Sequence, residues 1–181
     1  AHLSAHRRWT SNLIADNLSP FQRMAVETFE DSRVEYLAMQ EFPGLRQLWC
    51  KLHPVPQENI EKKEGVSYIR HRLAMLSRAL LDPGHGYQNP VILKYVARFH
   101  EVMAKGNTRT FDIQLLGVQF IAETKVASDS AGKIHFDDTE VDYRDDNRMI
   151  WLFIEEGDEE VFEERQRPPE ELEDEFKVPP R

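Results

Sequence analysis

The chain has 181 residues, 40% of them hydrophobic and 30% charged, with a formal net charge of −9. This length supports one sizeable core with a polar appendage. Its single cysteine, Cys50, excludes an internal disulfide and a multi-cysteine zinc site, and no apolar run reaches the roughly 18 residues that a membrane-spanning helix needs. Charge is unevenly placed. Residues 137–176 hold 18 acidic against 4 basic residues, whereas the first 136 carry a net +3. The acidic end repels phosphates, so nucleic acid is not an expected partner, and neither is a membrane. Sparse cysteine points to a reducing, cytoplasmic setting. The opening AHLSAHRRW has neither an initiator Met nor the apolar stretch of a signal peptide, and reads as the interior of a longer chain.

Taken in chain order, Trp9, Leu13 and Ile14 predict a short helix over His6 to Leu18. Ser19-Pro20 is a strong start signal, a hydroxyl cap followed by proline at the first helical position. Phe21, Met24, Ala25, Phe29, Ser32, Tyr36 and Met39 then recur at three- and four-residue steps until Pro43-Gly44 stops the helix. Leu45, Leu48, Trp49 and Leu52 give a second apolar face, ended by His53-Pro54-Val55-Pro56. Tyr68 to Leu81 follows, with Ile69, Leu73, Leu76 and Leu80 inward, and closes at Asp82-Pro83-Gly84. Asn89-Pro90 opens the next helix, whose inner face is Val91, Ile92, Tyr95, Val96, Phe99, Val102 and Met103. After Gly106-Asn107 a further helix runs to about Val126, read with Phe111, Leu115, Val118 and Ala122 as its core face. SDSAGK reads as a turn, and Met149 to Ile154 as a strand or a buried helical turn. The chain is thus expected to be mainly α, an antiparallel bundle of five to six helices over 1–128, followed by an acidic, irregular extension or linker over 129–181.

Few residues carry a chemical signal. Glu27, Asp31 and Glu35 share one helix face, but a dinuclear carboxylate site needs Glu-x-x-His on two helices, and the chain has none. With Phe29 and Tyr36 marking the core side, the carboxylates read as a solvated or interface face paired to Arg33. His2 and His6 stand at i, i+4, a spacing able to bind metal, without a carboxylate partner in sequence. Cys50 and His53 allow a nucleophile pair, yet a cysteine beside Trp49 is more simply a packed one. A phosphate-cradling G-x-x-x-x-G-K-[ST] is absent. Arg7, Arg8, Arg70, Arg72 and Arg78 are scattered among acids and read as solvated rather than as an RNA-binding patch.

The segment FEDSRVEYLAMQEFPGLRQLW, Phe29 to Trp49, resembles the E-D-[AS]-R-[VI]-E … [FY]-P-G-L … L-W block of the CbbO/NorD family. The likeness extends more weakly to LHPVP, to the helix ending LLDP and to the acidic Pro-rich end. Members of that family are von Willebrand factor A (VWA) domain proteins that work with MoxR-class AAA+ ATPases. Their VWA domain binds Mg²⁺ through D-x-S-x-S. This chain lacks that motif at Asp129-Ser130-Ala131-Gly132-Lys133, so no cofactor is expected in this segment. The resemblance implies a non-catalytic adaptor joining a CbbQ-like hexameric ATPase to a client. Rubisco, freed of inhibitory sugar phosphates, is favoured as that client over the nitric oxide reductase of NorD-type proteins. Glu30, Asp31, Arg33 and Glu35 are then the expected protein-interaction face. The alternative of another class is a metal-dependent helical-bundle enzyme.

Overall fold

The computed structural model describes residues 1–144 and 147–154. Expectations placed on the stretch from 155 onward, and on Asp145 and Asp146, lie outside these residues. Ser19 caps α2 (Pro20–Glu41) reciprocally. Its Oγ accepts from the Gln22 N–H at 3.2 Å, and its own N–H donates to Gln22 Oε1 at 2.9 Å. The helix stops at Phe42, just before Pro43-Gly44, as the sequence predicts. It is the axis of the molecule, packed by α1 (His2–Trp9), α3 (Gly44–Leu52), α4 (Ile69–Leu81) and α6 (Thr110–Thr124). Every residue from Phe29 to Glu35 is buried. A helix enclosed on all sides must pair whatever polar groups it carries.

The mainly α architecture matches the sequence reading, with α5 (Pro90–Ala104) completing the principal helices and α7 (Ser128–Ala131) adding one short turn. Asn89 caps α5 by accepting from the Val91 and Ile92 N–H groups. Around the middle of α2, Phe29 meets Tyr95, Phe99 and Phe120 with ring centroids 6.3–6.4 Å away. Among the described residues, no helix is long and apolar enough to cross a membrane.

Three local expectations are corrected. The helix predicted over His6 to Leu18 begins earlier and ends at Trp9. Leu13–Ile14 instead form β1, which pairs in parallel with β4 (Trp151–Leu152). The partner strand is far away in sequence, so local periodicity could not reveal it. In α6 the buried face is Ile113, Leu116, Phe120 and Ile121, whereas Phe111 and Leu115 are 71% and 62% exposed. That helix is apolar on both sides, and spacing alone does not choose between them. Finally, residue 128 is not a boundary. The following chain folds back onto the bundle: β3 (Lys133–Ile134) pairs in parallel with β2 (Val66–Ser67), Ile150 is fully buried, and Trp151 Nε1 donates to Glu27 Oε1 at 2.7 Å.

Gly117 is where α6 presses on α2. A Cβ there would lie 2.7 Å from Val26 Cγ2, 2.8 Å from its backbone nitrogen and 2.9 Å from its Cα. Backbone atoms cannot yield as a side-chain tip can. Gly117→Ala is therefore expected to destabilise the fold by about 1–3 kcal/mol, the usual cost of overpacking, despite alanine's better helix propensity. Chemical denaturation measures this, and an unchanged midpoint would show that the two helices separate freely.

Candidate functional site

The ionic cluster of α2 is inside the protein. Glu30 and Arg33 are both fully buried, and Asp31 and Glu35 are at most 5% exposed. The expected solvated or interface face is thus overturned: the groups face the chain's own α1, the start of α6 and the returning segment around Arg144. Helical periodicity put Phe29 inward correctly, but it assumed a single buried face on a helix that is enclosed all round. A docking surface built from these four side chains is not presented by this fold.

Glu30 and Arg33 form a forked pair, with Arg33 Nε and Nη2 each donating to one Glu30 oxygen at 2.8 Å. Arg33 also donates to the carbonyls of Thr108, at 2.8 Å, and Trp9, at 2.6 Å. The hydroxyls of Thr10 and Thr110 donate to Glu30 Oε1 at 2.7 and 2.9 Å. Together these bonds tie the end of α1 and the start of α6 to the centre of α2, and they satisfy both charges.

One turn along, His2 and His6 of α1 converge on Asp31. His6 Nε2 lies 2.9 Å from Asp31 Oδ1 and 3.1 Å from His2 Nε2, and His2 Nε2 lies 3.3 Å from the same oxygen. His2 Nδ1 stands 3.0 Å from Glu35 Oε1, within ion-pair reach although short of hydrogen-bond alignment. Arg144 completes the group by donating to both Glu35 oxygens, at 3.0 and 2.8 Å. Burial opposes ionising Asp31, but hydrogen bonds from His2 and His6 and the charge of Arg144 outweigh it and hold the carboxyl well below its usual range. Burial likewise opposes charging Glu35, and Arg144 and His2 outweigh that. For His2, burial is outweighed by Asp31 and Glu35, which raise its pKa.

The sequence reading found His2 and His6 but gave them no carboxylate, and it missed Arg144 entirely. A signal was present for the first. Two histidines at i, i+4 on one helix match two carboxylates, Asp31 and Glu35, at i, i+4 on another. Nothing local marks Arg144, which acts across 109 residues.

Beside this cluster, Arg144 Nη1 donates to Ser77 Oγ, and Ser77 in turn faces His53 Nε2 at 2.6 Å. His53 Nδ1 donates to the Pro54 carbonyl at 2.7 Å, so Nε2 accepts from Ser77. Burial, with Arg144 adding to it, pushes the His53 pKa down to about 4. Both ring nitrogens are engaged away from Cys50, whose thiol is pushed up by burial and by Asp82. That leaves no nucleophile pair. Asp129 is an internal clasp, accepting from Ser67 Oγ, Arg72 and the Val126 N–H. Arg8 pairs with Glu41 and Arg78 with Asp82, while Arg70 lies over the Phe136 ring, so the basic residues form no common patch.

Two surface features adjoin α2. An open cleft of about 470 Å³ between α2, α4 and the returning segment is bordered by Glu27, Asp31, Glu140, Asp142, Arg70 and Arg144. On the α2–α3 hairpin and just beyond it, Phe42, Leu48, Leu52 and Val55 are 49–61% exposed. Comparison with family models, with curated proteins and with solved structures finds no match. The likeness to CbbO/NorD proteins therefore rests on the sequence motifs alone, chiefly that of the hairpin.

Proposed function

We propose that the chain is a non-catalytic adaptor domain serving a MoxR-class AAA+ ATPase, of the CbbO type, acting in the cytoplasm, with Rubisco as the favoured client. The observation that carries this reading is the exposure of Phe42, Leu48, Leu52 and Val55 on and just beyond the hairpin that bears the family-like motif. Four large apolar side chains held in water at the end of a rigid, ion-locked helix are suited to contact with another protein. The burial of Glu30, Asp31, Arg33 and Glu35 moves the contact surface from the charged residues to these apolar neighbours. A NorD-type role toward nitric oxide reductase is the alternative within the same class.

The test is co-elution with a CbbQ-type hexamer in the presence of ATP. Leu48→Glu/Leu52→Glu is expected to abolish co-elution while leaving the melting temperature within about 2 °C, since both positions are largely solvated. Wild-type chain that never co-elutes with either a CbbQ-type or a NorD-associated ATPase removes the adaptor reading.

A further inference from the structure

The bonding around His6 can be followed proton by proton. Glu30, paired to Arg33, only accepts, so the Thr10 hydroxyl proton is committed to Glu30 Oε1 at 2.7 Å. Thr10 Oγ1 must then accept from His6 Nδ1–H at 2.8 Å. In the neutral ring this leaves the lone pair of His6 on Nε2, aimed at Asp31 Oδ1. With its proton on Nδ1, the nitrogen nearer Glu35, neutral His2 carries its own lone pair on Nε2, facing the same point. In these neutral tautomers three donor atoms converge, and a cation takes the place of the protons that otherwise join the rings to Asp31, in a site at most 6% exposed. Glu30 and Glu35 each pair with an arginine, whereas Asp31 faces the two histidines.

We propose that His2 Nε2, His6 Nε2 and Asp31 Oδ1 bind one divalent transition-metal cation, zinc being the best fit, that fastens α1 to α2. Ligand bonds of about 2.0–2.1 Å set neighbouring donors roughly 3.3–3.4 Å apart in a tetrahedron and about 3.0 Å apart in an octahedron. The three observed separations, 2.9, 3.1 and 3.3 Å, fall at these edges. Two imidazoles and one carboxylate suit borderline cations such as Zn²⁺ over Mg²⁺ or Ca²⁺, which take oxygen donors. The outer groups are in place too. His6 is oriented by Thr10 and Glu30, and His2 by Glu35, which is itself held by Arg144. Three protein ligands leave at least one position to water. This site is independent of any partner the chain has.

The test uses the whole chain, stripped with chelator and titrated with Zn²⁺ by calorimetry, with Co²⁺ as an absorbing substitute. One equivalent is expected to bind and to raise the melting temperature, and His6→Gln and Asp31→Asn are each expected to weaken binding more than about 100-fold, beyond the usual effect of an outer-shell change. Should those variants fail to fold, ring-nitrogen NMR of the wild type decides. Zinc is then expected to move the Nε2 signals of two of the seven histidines. Absence of binding, binding unchanged in both variants, or ring nitrogens of His2 and His6 that stay doubly protonated and insensitive to zinc would overturn the proposal.

Discussion

Arg33→Met is expected to lower the unfolding free energy by about 3–5 kcal/mol, the range for removing one partner of a buried ion pair. The change leaves Glu30 as an uncompensated charge in a fully buried site, still receiving the Thr10 and Thr110 hydroxyls but no cation. It also strands the carbonyls of Trp9 and Thr108, which Arg33 serves now. The companion variant Glu30→Gln/Arg33→Met removes both charges. It is expected to recover a substantial part of the loss, because a neutral amide can still accept from the two threonines. Urea unfolding followed by circular dichroism measures both. A single variant losing less than about 1 kcal/mol would place the pair in the class of exposed bridges such as Arg8–Glu41, contrary to its burial.

Acidification is expected to destabilise the protein through His53 before the carboxylates are protonated. Its pKa falls from 6.5 to about 4 on folding, so between those values the unfolded chain binds a proton that the folded chain refuses. Stability attributable to this group is full above pH 6.5, declines as the pH falls and levels off below about 4. The complete change amounts to about 3 kcal/mol at 1.36 kcal/mol per unit. Burial is the main cause, and the cations around the ring add to it. A proton on Nε2 would meet Ser77, whose oxygen already accepts from Arg144, while Arg78 adds a second cation nearby and Glu35 only partly offsets them. His71 and His100 are depressed by burial and act with the same sign. His2, which is raised, acts only above pH 6.5 and in the opposite direction. Comparing the pH dependence of wild type and His53→Gln isolates the contribution. Parallel curves between pH 6.5 and 4 would show that His53 does not titrate in this window.

The helices were legible where chemistry is local. Ser19-Pro20, Asn89-Pro90, Pro43-Gly44 and Asp82-Pro83-Gly84 act on bonds within a few residues, and each marks a helix end in the structure. The inner face of α5 was readable because Lys94, His100 and Glu101 lie opposite it. In α4 the predicted inward residues are buried, but so is every residue from Leu73 to Leu81. The same reasoning failed on α6, where Phe111 and Ile113 are equally apolar and only the position of Gly117 against Val26 settles which side is covered. It failed more instructively on α2. Amphipathic periodicity presumes a wet side, and here charged residues that look solvated are enclosed because every one finds a partner. Those partners, Thr10, Thr110, His2, His6 and Arg144, come from segments on either side of α2 in sequence. The His2/His6 and Asp31/Glu35 spacings were each visible, but nothing short of the tertiary fold shows that the two ladders meet.

The pairing of Leu13 with Trp151, together with Arg144 on Glu35, has a consequence for synthesis on the ribosome. Helix α2 reaches its final surroundings only after residues 144 to 152 have left the exit tunnel. Until then Glu35 has no arginine, and β1 has no neighbour. The segment around Leu13 is thus held by one made much later, and a chain released at residue 128 carries every principal helix but lacks both of these partners. Such long-range closure costs loop entropy before it returns contact energy. Completion of the bundle is therefore tied to synthesis through at least residue 152.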